Sequence, residues 1–175
     1  MVRLNKQEMA LTKQAGAARW QLARASGIKD QVVDKGRDPM AIDRLGVRAE
    51  LAVAKVLNLD FIAAALGVDS GGDLLIPTKG DQFLTAQIKS TFHKNGNLLF
   101  KLNEKFNFDY AILVCAQTHE PDCNEFEIAG CIHIDRINIK KHKTDKGMGQ
   151  GWQVNRDDLN PIYKLWQHIQ QKRLG

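Results

Sequence analysis

Apolar residues recur at helical spacing from residue 39 onward, and this is the clearest pattern of hydrophobic and polar positions in the chain. Asp38 and Pro39 precede it, and an aspartate N-cap followed by proline at the first helical position is typical of a helix start. The apolar positions are Ile42, Leu45, Ala49, Ala52, Val53 and Val56. The pattern predicts an amphipathic helix, and Glu50 lies within it.

Short apolar and β-branched segments follow, and each has the length of a strand. They lie near residues 73–77, 83–92, 97–102, 109–116 and 126–134. The segment 94–97 (Lys-Asn-Gly-Asn) is a hairpin turn signal, and the continuous apolar run 111–116 suits a strand that is covered on both faces. Helices and strands together predict a mixed α/β (α+β) fold.

The ends of the chain complete one domain of 175 residues. Asn5 with Glu8 forms a capping-box signal for a helix that runs to about Ser26. Its apolar pattern is poor, so we expect either an arm for DNA or a second subunit, or a plain packed helix. Asn160 and Pro161 predict the start of a last helix.

The chain divides into a basic N-terminal helical arm (1–30), a core (38–135) and a basic loop with the C-terminal helix (136–175). Residues 28–37 are expected to form a linker, and 136–151 a mobile basic loop. The segment 59–66 is compatible with either helix or strand.

Composition describes an ordinary globular protein, with 43% apolar and 26% charged residues. The longest apolar run, 61–68, is too short to cross a bilayer, and residues 1–8 lack the pattern of a secretory signal. An odd number of cysteines, three, without paired C-x-x-C spacing argues against disulfides and zinc. We therefore expect a cytoplasmic protein with free thiols and no membrane partner.

The net charge of +5 is distributed unevenly along the chain. Residues 1–30 carry six Lys/Arg and two Asp/Glu (+4), residues 136–175 carry nine and three (+6), and residues 31–135 carry ten and fifteen (−5). An acidic centre between basic ends suits a cation-binding site that is flanked by phosphate-binding surfaces.

A set of polar residues in the acidic centre is the strongest candidate for chemistry. Gln87 and Lys89 are two positions apart, so on a strand they project from the same face. If the chain reverses around Gly80, Asp73 lies opposite Gln87, and its carboxylate meets that face.

Glu50 adds a second carboxylate to this set. At about 100° per residue, Arg48 lies roughly 200° from Glu50 on the helix. We therefore expect Arg44, Arg48 and Lys55 to form an outer basic face, with Glu50 turned toward apolar neighbours, where its charge needs compensation. The alternative is a border residue whose carboxylate reaches water or pairs with a lysine.

Residues 39–116 resemble the PD-(D/E)XK nuclease superfamily, whose core is αβββαβ. The segment 46–54 around Glu50 looks like its first motif and Gly72-Asp73 like its second. Gln87-Ile88-Lys89 looks like its third, in a glutamine variant similar to that of transposon end-cleaving endonucleases. Two positions depart from the motifs: Gln87 is neutral, and Gly72 stands in place of the proline. Together with the C-terminal segments 152–154 and 158–161, the pattern also resembles small phage nuclease-like proteins.

The resemblance implies a restriction-endonuclease-like fold and a Mg²⁺- or Mn²⁺-dependent endonuclease that hydrolyses DNA. It implies metal ligation by Asp73, the amide oxygen of Gln87, the backbone carbonyl of Ile88, and Glu50 directly or through water. Lys89 would orient or deprotonate the attacking water.

Each of these residues also has a structural interpretation. Asp73 could cap a turn, with Asp69 as the acidic ligand in its place. Gln87 could be a solvated strand residue, and Lys89 could protect a sheet edge from pairing with another chain.

Lysines outside the motifs are candidates for contacts to the nucleic acid backbone, although a solvated loop is the common alternative for most of them. They are Lys94, Lys140, Lys141 and Lys143. Two other functions remain open: a non-catalytic nucleic-acid-binding or recombination/packaging accessory protein on the same fold, and an interaction protein whose basic ends bind an acidic partner. Double-strand cutting would favour a homodimer or homotetramer.

Overall fold

A computed structural model describes residues 1–27, 38–61, 72–79, 82–101, 106–137, 143–144 and 151–174. Within these residues there are three α-helices: α1 (Lys6–Ala25), α2 (Pro39–Leu57) and α3 (Ile162–Leu174). The strands are β1 (Val2–Arg3), β2 (Leu74–Pro77), β3 (Phe83–Thr91), β4 (Leu98–Lys101), β5 (Tyr110–Ala116), β6 (Glu125–His133), β7 (Lys143–Thr144) and β8 (Gly151–Val154). The expected α/β character of the chain is confirmed.

The helices begin where the sequence predicts. At α1 the side chain of Asn5 accepts hydrogen bonds from the backbone N–H groups of Gln7 and Glu8, and the Glu8 carboxylate accepts from the N–H of Asn5. This is the capping box, which satisfies the free amides of the first turn. At α2 the Asp38 side chain accepts from the N–H of Met40, with Pro39 in the first turn.

Helix α1 packs along α2, which is one of the two arrangements expected for it. The contacts run antiparallel, because Glu8 pairs with Lys55 at one end while Gly16 lies against Arg44 toward the other. Thr12, between them on α1, is fully buried. Small side chains allow this close approach, so packing does not require a strong apolar pattern.

Five strands form the main sheet in the order β1-β6-β5-β3-β2. β3 and β5 are parallel, and the other neighbours are antiparallel. Side chains alternate between the two faces, as in any strand. One face packs with α2 and α3 into the larger apolar core, which includes Leu45, Ile88, Ile112, Val114 and Leu165.

The second apolar core lies on the opposite face of the main sheet and contains Leu113, Cys115, Phe100 and Val154. It joins the main sheet to a second sheet of three strands, ordered β4-β8-β7. Strand β5 is therefore buried on both faces, which confirms the interpretation of the apolar run 111–116.

The hairpin expected between β3 and β4 is wrong. The turn at 94–97 forms, with the N–H of Gly96 donating to the carbonyl of His93, but β4 leaves the main sheet and pairs with β8. A turn signal fixes where the chain bends and not which strand comes next to it. The expected mobile loop at 136–151 is also wrong in part, because residues 143–144 pair with β8.

The expectation that Arg48 belongs to an outer basic face of α2 is wrong. Its side chain is 1% exposed and donates hydrogen bonds to the carbonyl of Pro121 and, at 3.2 Å, to the carboxylate of Asp122. The segment 121–122 covers this side of α2 and compensates the guanidinium, which the angular position of Arg48 on the helix could not reveal.

The thiols of Cys115, Cys123 and Cys131 are free and buried, as expected. The predicted linker (28–37) and most of the ambiguous segment 59–66 lie outside the described residues. Across the described ranges, no helix combines the length and the apolar character needed to cross a membrane.

Candidate functional site

Asp73, at the start of β2, and Gln87, in the middle of β3, lie in contact with each other. The two strands are antiparallel, with Leu74 opposite Ala86, and the N–H of Asp73 donates to the carbonyl of Ala86 at 2.8 Å. The register Leu74–Ala86 is centred on position 80, as expected, and Asp73, immediately before β2, reaches Gln87 of β3 through its side chain. The side-chain amide of Gln87 donates a hydrogen bond to Asp73 Oδ2 at 2.5 Å.

The backbone of Ile88 forms the second contact to the same carboxylate. Its N–H donates to Asp73 Oδ2 at 2.6 Å. In a paired strand the N–H and C=O of one residue point to the same side, so the Ile88 carbonyl leaves β3 on the side where Asp73 lies. A turn-capping aspartate bonds amides of its own turn; Asp73 instead bonds the neighbouring strand.

Glu50 reaches this region from α2. It is 5% exposed, and its two oxygens accept a forked pair of hydrogen bonds from Arg19 of α1, with Nη1 to Oε1 at 2.6 Å and Nη2 to Oε2 at 2.9 Å. The expectation that this carboxylate turns inward and needs compensation is confirmed. The compensating cation is an arginine from a helix 31 positions earlier.

The surroundings of Asp73 raise the pKa of its carboxyl group. Burial, together with the negative charge of Glu50, raises the pKa of Asp73 to about 6. The hydrogen bond from Ile88 and the positive charges of Arg19 and Lys89 offset part of that rise. Strongly perturbed carboxylates of this kind concentrate at sites of catalysis and ligand binding.

Lys89 lies on the same face of β3 as Gln87, and it is partly buried. Its Nζ is 5.3 Å from the centre of the Phe100 ring, so one side of the ammonium group faces the second sheet. Its effect on the pKa of Asp73 places it within electrostatic range of that carboxylate. Lys89 lies opposite Leu113 of β5, whereas the pairing of β3 with β2 covers only residues 83–86, so Lys89 has a strand neighbour on one side among the described residues.

The donor set fits a hard divalent cation. Two carboxylates, an amide oxygen and a strand carbonyl are all oxygen ligands, which Mg²⁺ and Mn²⁺ accept. The described residues contain no group of three or more His, Cys, Asp or Glu side chains that could hold a metal ion. The candidate set has two carboxylates, Glu50 and Asp73. Asp69, the alternative acidic ligand, lies outside the described residues.

The remaining candidate residues are elsewhere. Lys94 is exposed on the turn between β3 and β4, where its carbonyl accepts a hydrogen bond from Arg156. Lys143 belongs to β7, and only its backbone is described. Lys140 and Lys141 lie outside the described residues, so the structure does not place the basic loop relative to the site.

Arg19 is the residue that sequence reasoning missed. The only available signal was that a buried Glu50 requires a cation, and the basic residues of α2 were assigned to another face. Comparison with known proteins adds no further assignment: no family model, curated protein or solved structure matches this chain.

Proposed function

We propose that this protein is a Mg²⁺- or Mn²⁺-dependent endonuclease that hydrolyses phosphodiester bonds in DNA, built on a restriction-endonuclease-like core. The observation that carries the proposal is the buried Asp73 carboxylate, which is held by Gln87 and Ile88 of β3 and lies within electrostatic range of Glu50 and Lys89. Residues of α2, of the start of β2 and of β3 would thus bring to one site the carboxylates, neutral oxygens and cation that phosphodiester cleavage requires.

Each residue of the proposed site has a role that follows from its chemical group. Asp73 and Glu50 provide the negative charge, while the Gln87 amide oxygen and the Ile88 carbonyl provide neutral oxygen donors. A divalent cation bound here supplies Lewis-acid polarisation of the phosphate and acidifies a coordinated water. Lys89 would orient that water or, as the neutral amine, accept a proton from it, and as the ammonium group it would offset charge in the transition state.

The order of elements supports the proposed core. Helix α2 carries Glu50, the β2–β3 pair carries Asp73 and Gln87, and β5 returns parallel to β3. The position of β4 in the second sheet departs from a single continuous sheet. It leaves the arrangement around Asp73 intact, because β4 lies beyond Lys89 and does not contribute to the β2–β3 pair.

A non-catalytic DNA-binding protein on the same fold is the second candidate. The Arg19–Glu50 contact favours it, because both Glu50 oxygens already have a cationic partner. The basic ends of the chain are compatible with both candidate functions, a nuclease and a non-catalytic DNA-binding protein. They differ in whether DNA is cut when a metal is present.

A nicking assay separates the two candidates. Supercoiled plasmid, linear and branched DNA are incubated with the protein in Mg²⁺, Mn²⁺ or EDTA. We expect cleavage with either metal and none in EDTA. Asp73→Asn should abolish it, while the matched variant Asp157→Asn, at an exposed aspartate after β8, should cut normally. Salt-sensitive DNA binding without cleavage in any metal would favour the second candidate, and absence of DNA binding would favour an acidic protein partner.

A further inference from the structure

Arg19 acts electrostatically on both carboxylates of the site. Its guanidinium group forms the forked contact to Glu50. The pKa of Arg19 is raised chiefly by this hydrogen-bonded pair, against the effect of burial, with further contributions from the charges of Asp73 and Asp43. Arg19 in turn lowers the pKa of Asp73. One cationic side chain therefore acts on both carboxylates to which a metal ion is expected to bind.

The helix that delivers Arg19 is fixed in place. A Cβ atom at Gly16 would lie 2.9 Å from the Cα of Arg44, so α1 and α2 touch backbone to backbone at this point. Arg19 follows Gly16 by three positions and thus faces the same side of α1. The ion pair between Glu8 and Lys55 holds the other end of the helix. The guanidinium is consequently placed by packed structure and not by a loose arm.

The Arg19–Glu50 contact changes the net charge that a cation would meet at the site. Glu50 and Asp73 contribute two negative charges, and Arg19 and Lys89 contribute two positive charges, so these four residues sum to zero. Asp43, whose charge also acts on Arg19, adds one further negative charge to this set. With Arg19 in place, a divalent cation would meet side chains whose negative charge is largely offset and whose glutamate oxygens are both hydrogen-bonded. Without Arg19 the set would carry one more net negative charge and would leave the Glu50 oxygens available for a cation.

The exposure of the two partners indicates which of them moves. The Glu50 side chain is 7% exposed, whereas the Arg19 side chain is 26% exposed. Glu50 is also short and rooted in the buried face of α2. A guanidinium on a long, partly exposed side chain can swing toward solvent by rotamer changes, while the carboxylate stays where it is.

We propose that Arg19 is a built-in counter-cation that competes with the divalent metal for Glu50, so that metal loading requires release of the guanidinium from the carboxylate. This inference rests on the proposed function, because it assumes that Glu50 and Asp73 take up a metal ion. It assigns to α1 a control over the loading of the site. An ion pair that only joins α1 to α2 would not change the affinity for a cation.

The test is a titration of the full-length protein with Mn²⁺ by calorimetry, without DNA. Arg19→Gln removes the competing charge, and we expect it to bind Mn²⁺ roughly tenfold to a hundredfold more tightly than wild type, the range of one charge-assisted pair. Arg24→Gln is the matched control, since Arg24 lies on the same helix with its guanidinium over the Trp20 ring. It should bind Mn²⁺ like wild type. Unchanged or weaker binding by Arg19→Gln overturns the inference.

A second variant covers the case in which Arg19→Gln fails to fold, because it leaves a buried carboxylate unpaired. Arg19→Lys keeps the charge but cannot form the fork, so it should bind Mn²⁺ more tightly than wild type by a smaller factor. Affinity equal to wild type in a folded Arg19→Lys protein overturns the inference. In both variants, saturating Mn²⁺ should raise the melting temperature by more than it does in wild type.

Asp73→Asn separates the inference from the proposed function. If this variant loses Mn²⁺ binding and the Arg19 variants bind like wild type, the metal site stands and the competition is wrong. If neither wild type nor Arg19→Gln binds Mn²⁺ at millimolar concentration, the metal site itself is wrong, and the inference fails with it.

Discussion

Gln87 of β3 donates its side-chain amide to the carboxylate of Asp73 across the β2–β3 pair, at 2.5 Å. Because the amide nitrogen of Gln87 faces Asp73, the amide oxygen of the same side chain is left as an uncharged candidate ligand for a metal ion. The contact therefore defines both the orientation of Gln87 and the position of Asp73, and the predictions about the site start from this pair.

Asp73→Asn tests whether the carboxylate is a metal ligand. Asparagine keeps the size of the side chain and an oxygen that can accept from the Ile88 amide, so the fold should persist. Loss of the charge should lower cleavage by about two to three orders of magnitude, the scale of several kcal/mol of metal-borne stabilisation. The measurement is the nicking rate under single-turnover conditions, with circular dichroism to verify folding. A folded variant that cuts at the wild-type rate would remove Asp73 from the site.

The pH dependence of stability follows from the same residue. The folded protein raises the pKa of Asp73 from 3.8 to about 6, so the folded state binds this proton more tightly than the unfolded chain does. The stability from that proton is complete below about pH 4 and is lost as pH rises through about 6. The loss is on the order of 1–3 kcal/mol.

Urea denaturation at several pH values, without metal, measures this loss. The free energy of unfolding of wild type minus that of Asp73→Asn should fall between pH 4 and pH 6 and then level off. Carboxylates that do not interact with Asp73 cancel in the difference. A difference that stays flat across this range would contradict the raised pKa.

Metal preference should reflect the neutral Gln87. With an amide in place of a carboxylate, the site should hold Mg²⁺ weakly, and Mn²⁺ generally binds such ligands more tightly. We expect faster cleavage in Mn²⁺ than in Mg²⁺ at equal concentration, measured over a metal titration. Gln87→Glu should narrow the gap between the two metals. Full activity in EDTA would refute metal dependence altogether.

The basic loop is tested by changing Lys140, Lys141 and Lys143 together to alanine. DNA binding should weaken for all sequences, and the slope of log affinity against log salt should fall by about one unit for each lost phosphate contact. The matched triple change to arginine keeps the charges and should keep the slope. A slope that does not respond to the alanine changes would identify the loop as solvated surface only.

Gly16 and Gly46 provide a matched test of helix packing. Alanine at an exposed helical glycine commonly stabilises a helix by about 0.5–1 kcal/mol. Gly46→Ala on α2 has open space around the new Cβ and should show this gain. Gly16→Ala should lower the melting temperature instead, because the new Cβ would meet the Arg44 backbone at 2.9 Å. Equal behaviour of the two variants would show that α1 and α2 are not in close contact.

Local signals predicted much of the fold. The caps at Asn5 and Asp38, the apolar period of α2 and the run at 111–116 each depend on neighbouring residues, and the helices and strands appear within a few residues of the expected positions. The proximity of Asp73 and Gln87 also follows from a local reversal of the chain. The caps were predictable because their hydrogen bonds are made nearby in sequence, and the strand at 111–116 because its own apolar composition is that of a strand buried on both faces.

Long-range partners could not be predicted in the same way. Arg48 is buried because residues 121–122 accept its hydrogen bonds, and Arg19 meets Glu50 across 31 positions. β4 pairs with β8, which lies some fifty residues farther along the chain. In each case the helix or strand was identified correctly, while its partner depends on tertiary packing that no local pattern encodes.

Because β2 is at the edge of the main sheet, the segment that carries Asp73 is less stably held than the strand that carries Gln87 and Lys89. Gln87 and Lys89 belong to the nine-residue strand β3 and lie opposite Ala111 and Leu113 of β5. Asp73 instead precedes a strand of four residues that, among the described residues, pairs with β3 alone. Short edge strands open at a lower free-energy cost than the sheet interior. A brief departure of this segment would separate Asp73 from Gln87 while the apolar cores stay closed. Amide hydrogen exchange would register the event as faster exchange at Asp73 than at Ile112, so the site can lose its central carboxylate without unfolding of the protein.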